Sequence, residues 1–146
     1  MNILVGVLSM LLFAMPCSVA VGAQQHGEPA PGAKHTSAAD LKAMIESNAG
    51  VMIVDVRDPE EFRKDTIPGA INIPLGRLEA RLKDMPKDTL LVFVCTGGSR
   101  SSRAAKLAEN AGFRSSTFCP IREWKERGFK TVAGEGGPSQ NSPPRE

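Results

Sequence analysis

The chain has 146 residues, with 18 Lys and Arg against 16 Asp and Glu, a formal net charge of +2 and no long basic run. An independent core needs on the order of 100 residues, so this length allows one domain with a targeting segment and short tails. The near balance of charge argues against a nucleic-acid partner, and we expect small-molecule substrates. The composition says nothing about oligomeric state.

The first 23 residues predict an export signal. Residues 3–23 contain no charged side chain, are mostly apolar and end abruptly at Gln24-Gln25-His26, which is the layout of a secretory signal. We therefore expect an exported protein, periplasmic or secreted. Cleavage after residue 20 or 23 is the favoured reading, but about 20 apolar residues also suffice for an uncleaved membrane anchor. Such an anchor would be the only contact with the membrane.

Two stretches have the composition of flexible chain. Residues 24–35 and 133–146 are rich in Gly, Pro and polar residues and show no apolar periodicity. They cannot bury enough apolar surface to offset the entropy of ordering. We predict a flexible tether at 24–35, a folded domain at 36–132 and a disordered tail at 133–146.

The folded part alternates between helical and strand patterns. An N-cap at Thr36-Ser37 opens a first helix, and later ones are expected at 58–62, 75–82, 101–111 and 121–127. Apolar runs predict strands at 51–54, 70–73, 90–94 and 116–118. Strands that alternate with helices predict an α/β fold with a mainly parallel sheet covered on both faces. Ligands of such sheets bind at the carboxyl ends of the strands.

A glycine-containing loop follows the most apolar strand, and its first residue is Cys95. The loop is Cys95, Thr96, Gly97, Gly98, Ser99, Arg100 and Ser101. It lacks proline, so its six amides from 96 to 101 are free to converge on one centre, and the glycines permit positive φ. Together with Arg100 and the following helix N-terminus, these amides favour the thiolate, which is the nucleophilic form of cysteine. Without these neighbours, a buried structural cysteine would be the better interpretation.

Other polar residues are assigned structural roles. We expect Asp55 and Arg57 to hold loops together through hydrogen bonds at a strand end, and Glu61 to do the same. The two histidines, His26 and His35, lie in the tether, so the sequence gives no support for a metal site or a Cys-His pair. We predict no cofactor.

Three segments together resemble the rhodanese family of thiosulfate-type sulfurtransferases. Cys95-x-x-Gly98-x-Arg100-Ser101 is similar to its active-site loop, and Ile53–Phe62 (IVDVRDPEEF) with Ile67–Pro74 (IPGAINIP) is similar to its earlier signature. The resemblance covers about residues 36–132 and is closest to small exported rhodaneses of the phage-shock type. It implies a single rhodanese-like domain with a central, mainly parallel five-stranded sheet.

The resemblance also implies a reaction. The Cys95 thiolate would take a sulfane sulfur from thiosulfate or a persulfide and pass it to cyanide or a thiol. The loop amides of residues 96–101 would stabilise the persulfide, and Arg100 would hold an anionic donor. Related phosphatases place one more residue between Cys and Arg than the four found here, so a phosphatase is the weaker reading.

Two departures from the family pattern leave alternatives open. Thr96 stands where the thiosulfate-using enzymes often have Arg, which puts the donor in doubt. Cys119 stands in place of a glycine and could lie beside Cys95, since the strands ending near them are neighbours in the family fold. A thiol-disulfide switch is therefore the second hypothesis. A non-catalytic sulfur carrier or a module that binds a thiol protein is the third.

Overall fold

The computed structural model describes residues 32–113 and 116–135. The predicted export signal, most of the tether and residues 136–146 lie outside these ranges. In chain order, the elements are α1 (Ala38–Glu46), β1 (Val51–Asp55), α2 (Pro59–Lys64), β2 (Ile71–Asn72), α3 (Leu75–Leu82), β3 (Leu90–Cys95), α4 (Ser99–Asn110), β4 (Ser116–Pro120) and α5 (Ile121–Glu126). Over these two ranges, no helix has the length and apolar character needed to cross a bilayer.

The sheet is parallel and its strands follow the order β2-β1-β3-β4. Side chains of successive strand residues point to opposite faces, so each face has its own core. One core packs α3 and α4 against residues such as Phe93 and Phe118. The other packs α1 and α5 against residues such as Val92 and Val94. The predicted α/β fold, with helices on both faces of a parallel sheet, is confirmed.

The described sheet has four strands, and the prediction of five was wrong. On the outer side of β4, the chain forms a single parallel bridge between His35 and Phe118. Two hydrogen bonds form it, from the Phe118 N–H to the Lys34 carbonyl and from the Thr36 N–H to the Phe118 carbonyl. Gly32, with φ 76°, precedes this segment, and α1 begins after it at Ala38.

The caps of the first two helices explain where they begin. Ser37 caps α1 by accepting the Asp40 N–H at 3.1 Å. Asp58 caps α2 in a capping box with Glu61, and Pro59 fills the first helical position. Because α2 follows β1, and the loop of residues 95–101 follows β3, the neighbour of β1 in the sheet, α2 begins beside that loop.

The residues after α5 pair with the segment around α2. Val132 forms an antiparallel bridge with Thr66, and the Gly134 N–H donates to the Phe62 carbonyl at 3.1 Å. Gly134, which lies in the predicted tail, is therefore hydrogen-bonded to α2.

Candidate active site

Cys95 is the last residue of β3 and is 1% exposed. Its side chain points to the face covered by α3 and α4. The Gly98 N–H donates to the Cys95 Sγ at 3.2 Å and the Ser101 N–H at 3.3 Å. The sequence predicted that six loop amides converge on one centre. Two of them, those of Gly98 and Ser101, donate hydrogen bonds to the Cys95 sulfur. Both stabilise negative charge there.

Gly98 produces the bend that brings these amides to the sulfur. It has φ 103°, in the left-handed region that favours glycine. A Cβ at this position would lie 3.3 Å from the Pro120 side chain and 3.4 Å from that of Phe118. Its carbonyl accepts the Ser102 N–H at 2.8 Å, which starts α4. Glycine is therefore required by both the backbone angle and the close packing of β4.

Ser101 adds a hydroxyl to the same sulfur. Its Oγ lies 3.2 Å from the Cys95 Sγ and 3.1 Å from the Gly98 carbonyl oxygen. When Cys95 is a thiol, its S–H can donate to Oγ while the hydroxyl donates to the carbonyl. When Cys95 is a thiolate, the hydroxyl can turn and donate to the sulfur. Ser101 thus offers a partner to both forms of the nucleophile.

Arg100 is bound by a residue from another part of the chain. Its Nη1 and Nη2 donate to the Glu61 carboxylate at 2.7 and 3.1 Å. The hydroxyl of Thr96 donates to the same carboxylate at 3.3 Å. We expected Glu61 to hold loops together through hydrogen bonds, and its bonds join α2 to two residues of the loop 95–101. The strand order could have indicated this contact. Because α2 follows β1, the neighbour of β3, Glu61 on α2 lies close to the loop that follows β3.

The ion pair changes the acid-base behaviour of both partners. The hydrogen bond from Arg100 lowers the pKa of Glu61 against the opposing effect of its partial burial. The same hydrogen bond raises the pKa of Arg100, to which the charge of Cys95 also contributes. Both side chains are about one-third exposed. At neutral pH the pair is fully ionised and its charges cancel.

Asp55 and Arg57 form a buried ionic cluster at the end of β1. The Arg57 side chain donates to the Asp55 carboxylate through Nε at 3.0 Å and through Nη2 at 2.8 Å. The Thr66 hydroxyl donates to the same carboxylate at 2.8 Å, and Arg57 also contacts Asp65. The Asn72 amide donates to the carbonyls of both Asp55 and Arg57. These hydrogen bonds connect the carboxyl end of β1 to the residues that follow α2 and to β2.

Cys119 lies away from the active-site sulfur, contrary to the expectation that the two thiols could be adjacent. In the sheet Cys119 is paired with Val94, whereas Cys95 is paired with Pro120. Cys119 therefore points to the face covered by α1 and α5, and Cys95 to the opposite face. Both are free thiols. Cysteines whose Cβ atoms point apart cannot form a disulfide without backbone movement. Burial also raises the pKa of Cys119 to about 12, with the Glu123 charge adding to the effect.

Comparison with known proteins identifies the family of the chain. The family model described as Rhodanese-like domain matches residues 37–121. YtwF of Bacillus subtilis is 34% identical over 104 residues, which cover 71% of this chain and 85% of YtwF. The human thiosulfate:glutathione sulfurtransferase is 33% identical over 112 residues, which cover 66% of this chain and 96% of that protein. The chain spans 57% of the length of another relative, YrkF of Bacillus subtilis.

A solved structure gives the same result. The human single-domain sulfurtransferase TSTD1 superposes with a TM-score of 0.61 at 31% identity, covering 66% of this chain and 98% of that one. The chain belongs to the rhodanese-like domain family. Its named relatives support a sulfurtransferase.

Proposed function

We propose that the protein transfers a sulfane sulfur through a persulfide on Cys95. The thiolate attacks the outer sulfur of a donor such as thiosulfate. The new S–S bond forms on Cys95, the old S–S bond breaks, and sulfite leaves with its electron pair. A thiophilic acceptor, cyanide or a thiolate, then attacks the outer sulfur of the persulfide. Thiocyanate or a new persulfide departs, and the Cys95 thiolate is restored.

The observation that carries this proposal is the set of three polar groups around one sulfur. Two amides and the Ser101 hydroxyl lie 3.2 to 3.3 Å from the Cys95 Sγ. Such donors stabilise a charged sulfur that is otherwise removed from water. In the persulfide the negative charge moves to the outer sulfur, so these three contacts support above all the thiolate that begins the reaction. The named relatives, among them a thiosulfate:glutathione sulfurtransferase, support a small-molecule donor and acceptor.

The setting of the reaction is also part of the proposal. The apolar first 23 residues indicate export, so the acceptor would be a thiol present outside the cytoplasm, on a small molecule or on a protein. The opposed orientations of Cys95 and Cys119 argue against an intramolecular disulfide as the working state.

Two measurements test the proposal. Intact-mass analysis after incubation with thiosulfate is expected to show one added sulfur atom, which cyanide removes as thiocyanate. Cys95→Ala is expected to abolish both the added mass and thiocyanate formation, whereas the matched variant Cys119→Ala retains both. Thiocyanate formation by Cys95→Ala at the wild-type rate would refute the proposal. Loading of Cys95 with no release to cyanide or to thiols would indicate a sulfur carrier instead of an enzyme.

A further inference from the structure

The active-site loop has one cation, and the structure gives it a fixed anionic partner. Arg100 is the only charged residue among residues 95–101. Both of its terminal nitrogens donate to Glu61, at 2.7 and 3.1 Å. A two-pronged contact of this kind matches the geometry by which guanidinium groups bind anionic ligands. Glu61 therefore occupies the groups of Arg100 that a sulfonate would use.

Thr96 strengthens this arrangement. Its hydroxyl donates to Glu61 Oε1 at 3.3 Å, so the exposed residue next to Cys95 also faces the carboxylate. Glu61 is held on its other side by the capping box, in which the Asp58 N–H donates to Oε2 at 3.4 Å. The carboxylate is thus positioned by its own helix and by two residues of the loop.

We propose, on the basis of the sulfurtransferase function above, that Glu61 determines donor specificity by selecting against dianionic donors. Thiosulfate carries two negative charges. To bind at Arg100, it must either displace Glu61 from the guanidinium or bind close to an uncompensated carboxylate. A donor with a single charge, on the transferable sulfur, is repelled less by the Glu61 carboxylate. Its binding also depends less on an ion pair with Arg100. Persulfides and thiosulfonates belong to this second class.

Methanethiosulfonate is a suitable probe because it differs from thiosulfate mainly in charge. A methyl group replaces one oxygen, which leaves a monoanion with the same sulfane sulfur. The Cys95 thiolate attacks that sulfur, the S–S bond of the donor breaks, and methanesulfinate leaves with the electron pair. The two donors thus give the same Cys95 persulfide, and their comparison isolates the effect of charge.

The experiment measures kcat and KM for both donors in wild type and in Glu61→Gln, with cyanide as acceptor. Glutamine keeps the size of the side chain and an oxygen for the capping box, but removes the charge. Because the pair is partly exposed, we expect the KM for thiosulfate to fall about three- to tenfold, with kcat unchanged. The KM for methanethiosulfonate should change less than twofold. The matched control is Glu60→Gln, an exposed neighbour on α2, which should change neither KM.

A second pair of variants keeps the test decisive if the unpaired Arg100 makes Glu61→Gln poorly folded, because the double variant removes both charges. Arg100→Gln leaves the Glu61 charge uncompensated, so the KM for thiosulfate should rise more than the KM for methanethiosulfonate. The double variant Glu61→Gln/Arg100→Gln should recover part of that difference. No recovery in the double variant, or an equal change for both donors in Glu61→Gln, would overturn the proposal.

Failure of this inference differs from failure of the proposed function. Intact-mass analysis of the wild-type protein reports whether Cys95 is loaded at all. If neither donor adds sulfur to Cys95, the sulfurtransferase function and the role of Glu61 are both refuted. If both donors load Cys95 and their relative KM values do not respond to the charge at Glu61, only the specificity role is refuted.

Discussion

Ser101→Ala tests whether the hydrogen bonds around the sulfur support the chemistry. The substitution removes one hydroxyl and leaves both recorded amide donors in place. Ser101 is fully buried, so water does not readily replace the lost group. The Gly98 carbonyl, which also contacts that hydroxyl, still accepts the Ser102 N–H at 2.8 Å. The loop backbone therefore keeps its own bonding, and the loss is concentrated on the sulfur.

The size of the effect follows from the charge of the acceptor. A hydrogen bond to a charged group contributes about 1.5–3 kcal/mol, and about 1.4 kcal/mol corresponds to a tenfold change in rate. Because the attacking sulfur gives up part of its charge in the transition state, about half of that contribution is expressed, and Ser101→Ala slows persulfide formation by about 3- to 12-fold. The cost in stability should be smaller, about 1 kcal/mol, because the neutral thiol is a weak hydrogen-bonding partner.

The assay is a single turnover in which excess thiosulfate loads Cys95 and intact mass follows the added sulfur with time. Ser116→Ala is the matched control, because its hydroxyl also donates to a buried backbone carbonyl, that of Ala105, at 3.0 Å. It lies at the opposite end of β4 from the active-site loop. A change below twofold in Ser101→Ala, with the loop still folded, would refute the argument that the hydroxyl stabilises the charged sulfur.

Three further predictions concern the surrounding structure. Arg57→Met leaves the carboxylate of Asp55 buried without its cation, and we expect the free energy of unfolding in urea to fall by about 3–5 kcal/mol. A loss below about 1 kcal/mol would contradict that account. Cys119→Ala removes a buried thiol from the core beneath α1 and α5, and should cost about 1 kcal/mol of stability while turnover stays within twofold. Abolished turnover in a folded variant would contradict the separation of the two thiols. The hydrogen bond from Lys125 lowers the pKa of Asp65, so this carboxylate contributes stability that is present above about pH 4 and lost as the pH falls through the lowered pKa. Asp65→Asn should therefore reduce the free energy of unfolding at pH 7, but not at a pH low enough to protonate the Asp65 carboxyl. An equal loss at the two pH values would show that the charge of Asp65 does not contribute to stability.

The secondary structure could be predicted because its signals are local. The apolar run at 90–94 is one residue shorter than β3, and the predicted helix at 101–111 overlaps α4 over all but its first two residues. The fifth strand was wrong for a reason that is not local. Beside β4 the chain makes one bridge, at His35, before α1 begins at Ala38, and such pairing depends on contacts between distant parts of the chain.

The position of Cys119 could not be predicted because it depends on register. A shift of one residue between two parallel strands moves a side chain to the other face of the sheet. The sequence placed Cys95 and Cys119 at the ends of neighbouring strands, which is correct to within one residue. This difference of one residue in register decides whether the two thiols lie side by side or in different cores. Spacing along the chain contains no information about the register between strands.

Glu61 shows why a loop motif alone does not define a specificity. The loop from Cys95 to Ser101 accounts for the nucleophile and for the donors to its sulfur, and these lie close together in sequence. The charge available to a substrate depends on a carboxylate 35 residues before Thr96, which arrives from α2 through the parallel order of β1 and β3. A chain with the same loop but a neutral residue at position 61 would keep the nucleophile and its hydrogen bonds while freeing Arg100 to bind a dianion. Under the proposed role of Glu61, donor preference is therefore a property of the neighbouring helix as much as of the loop.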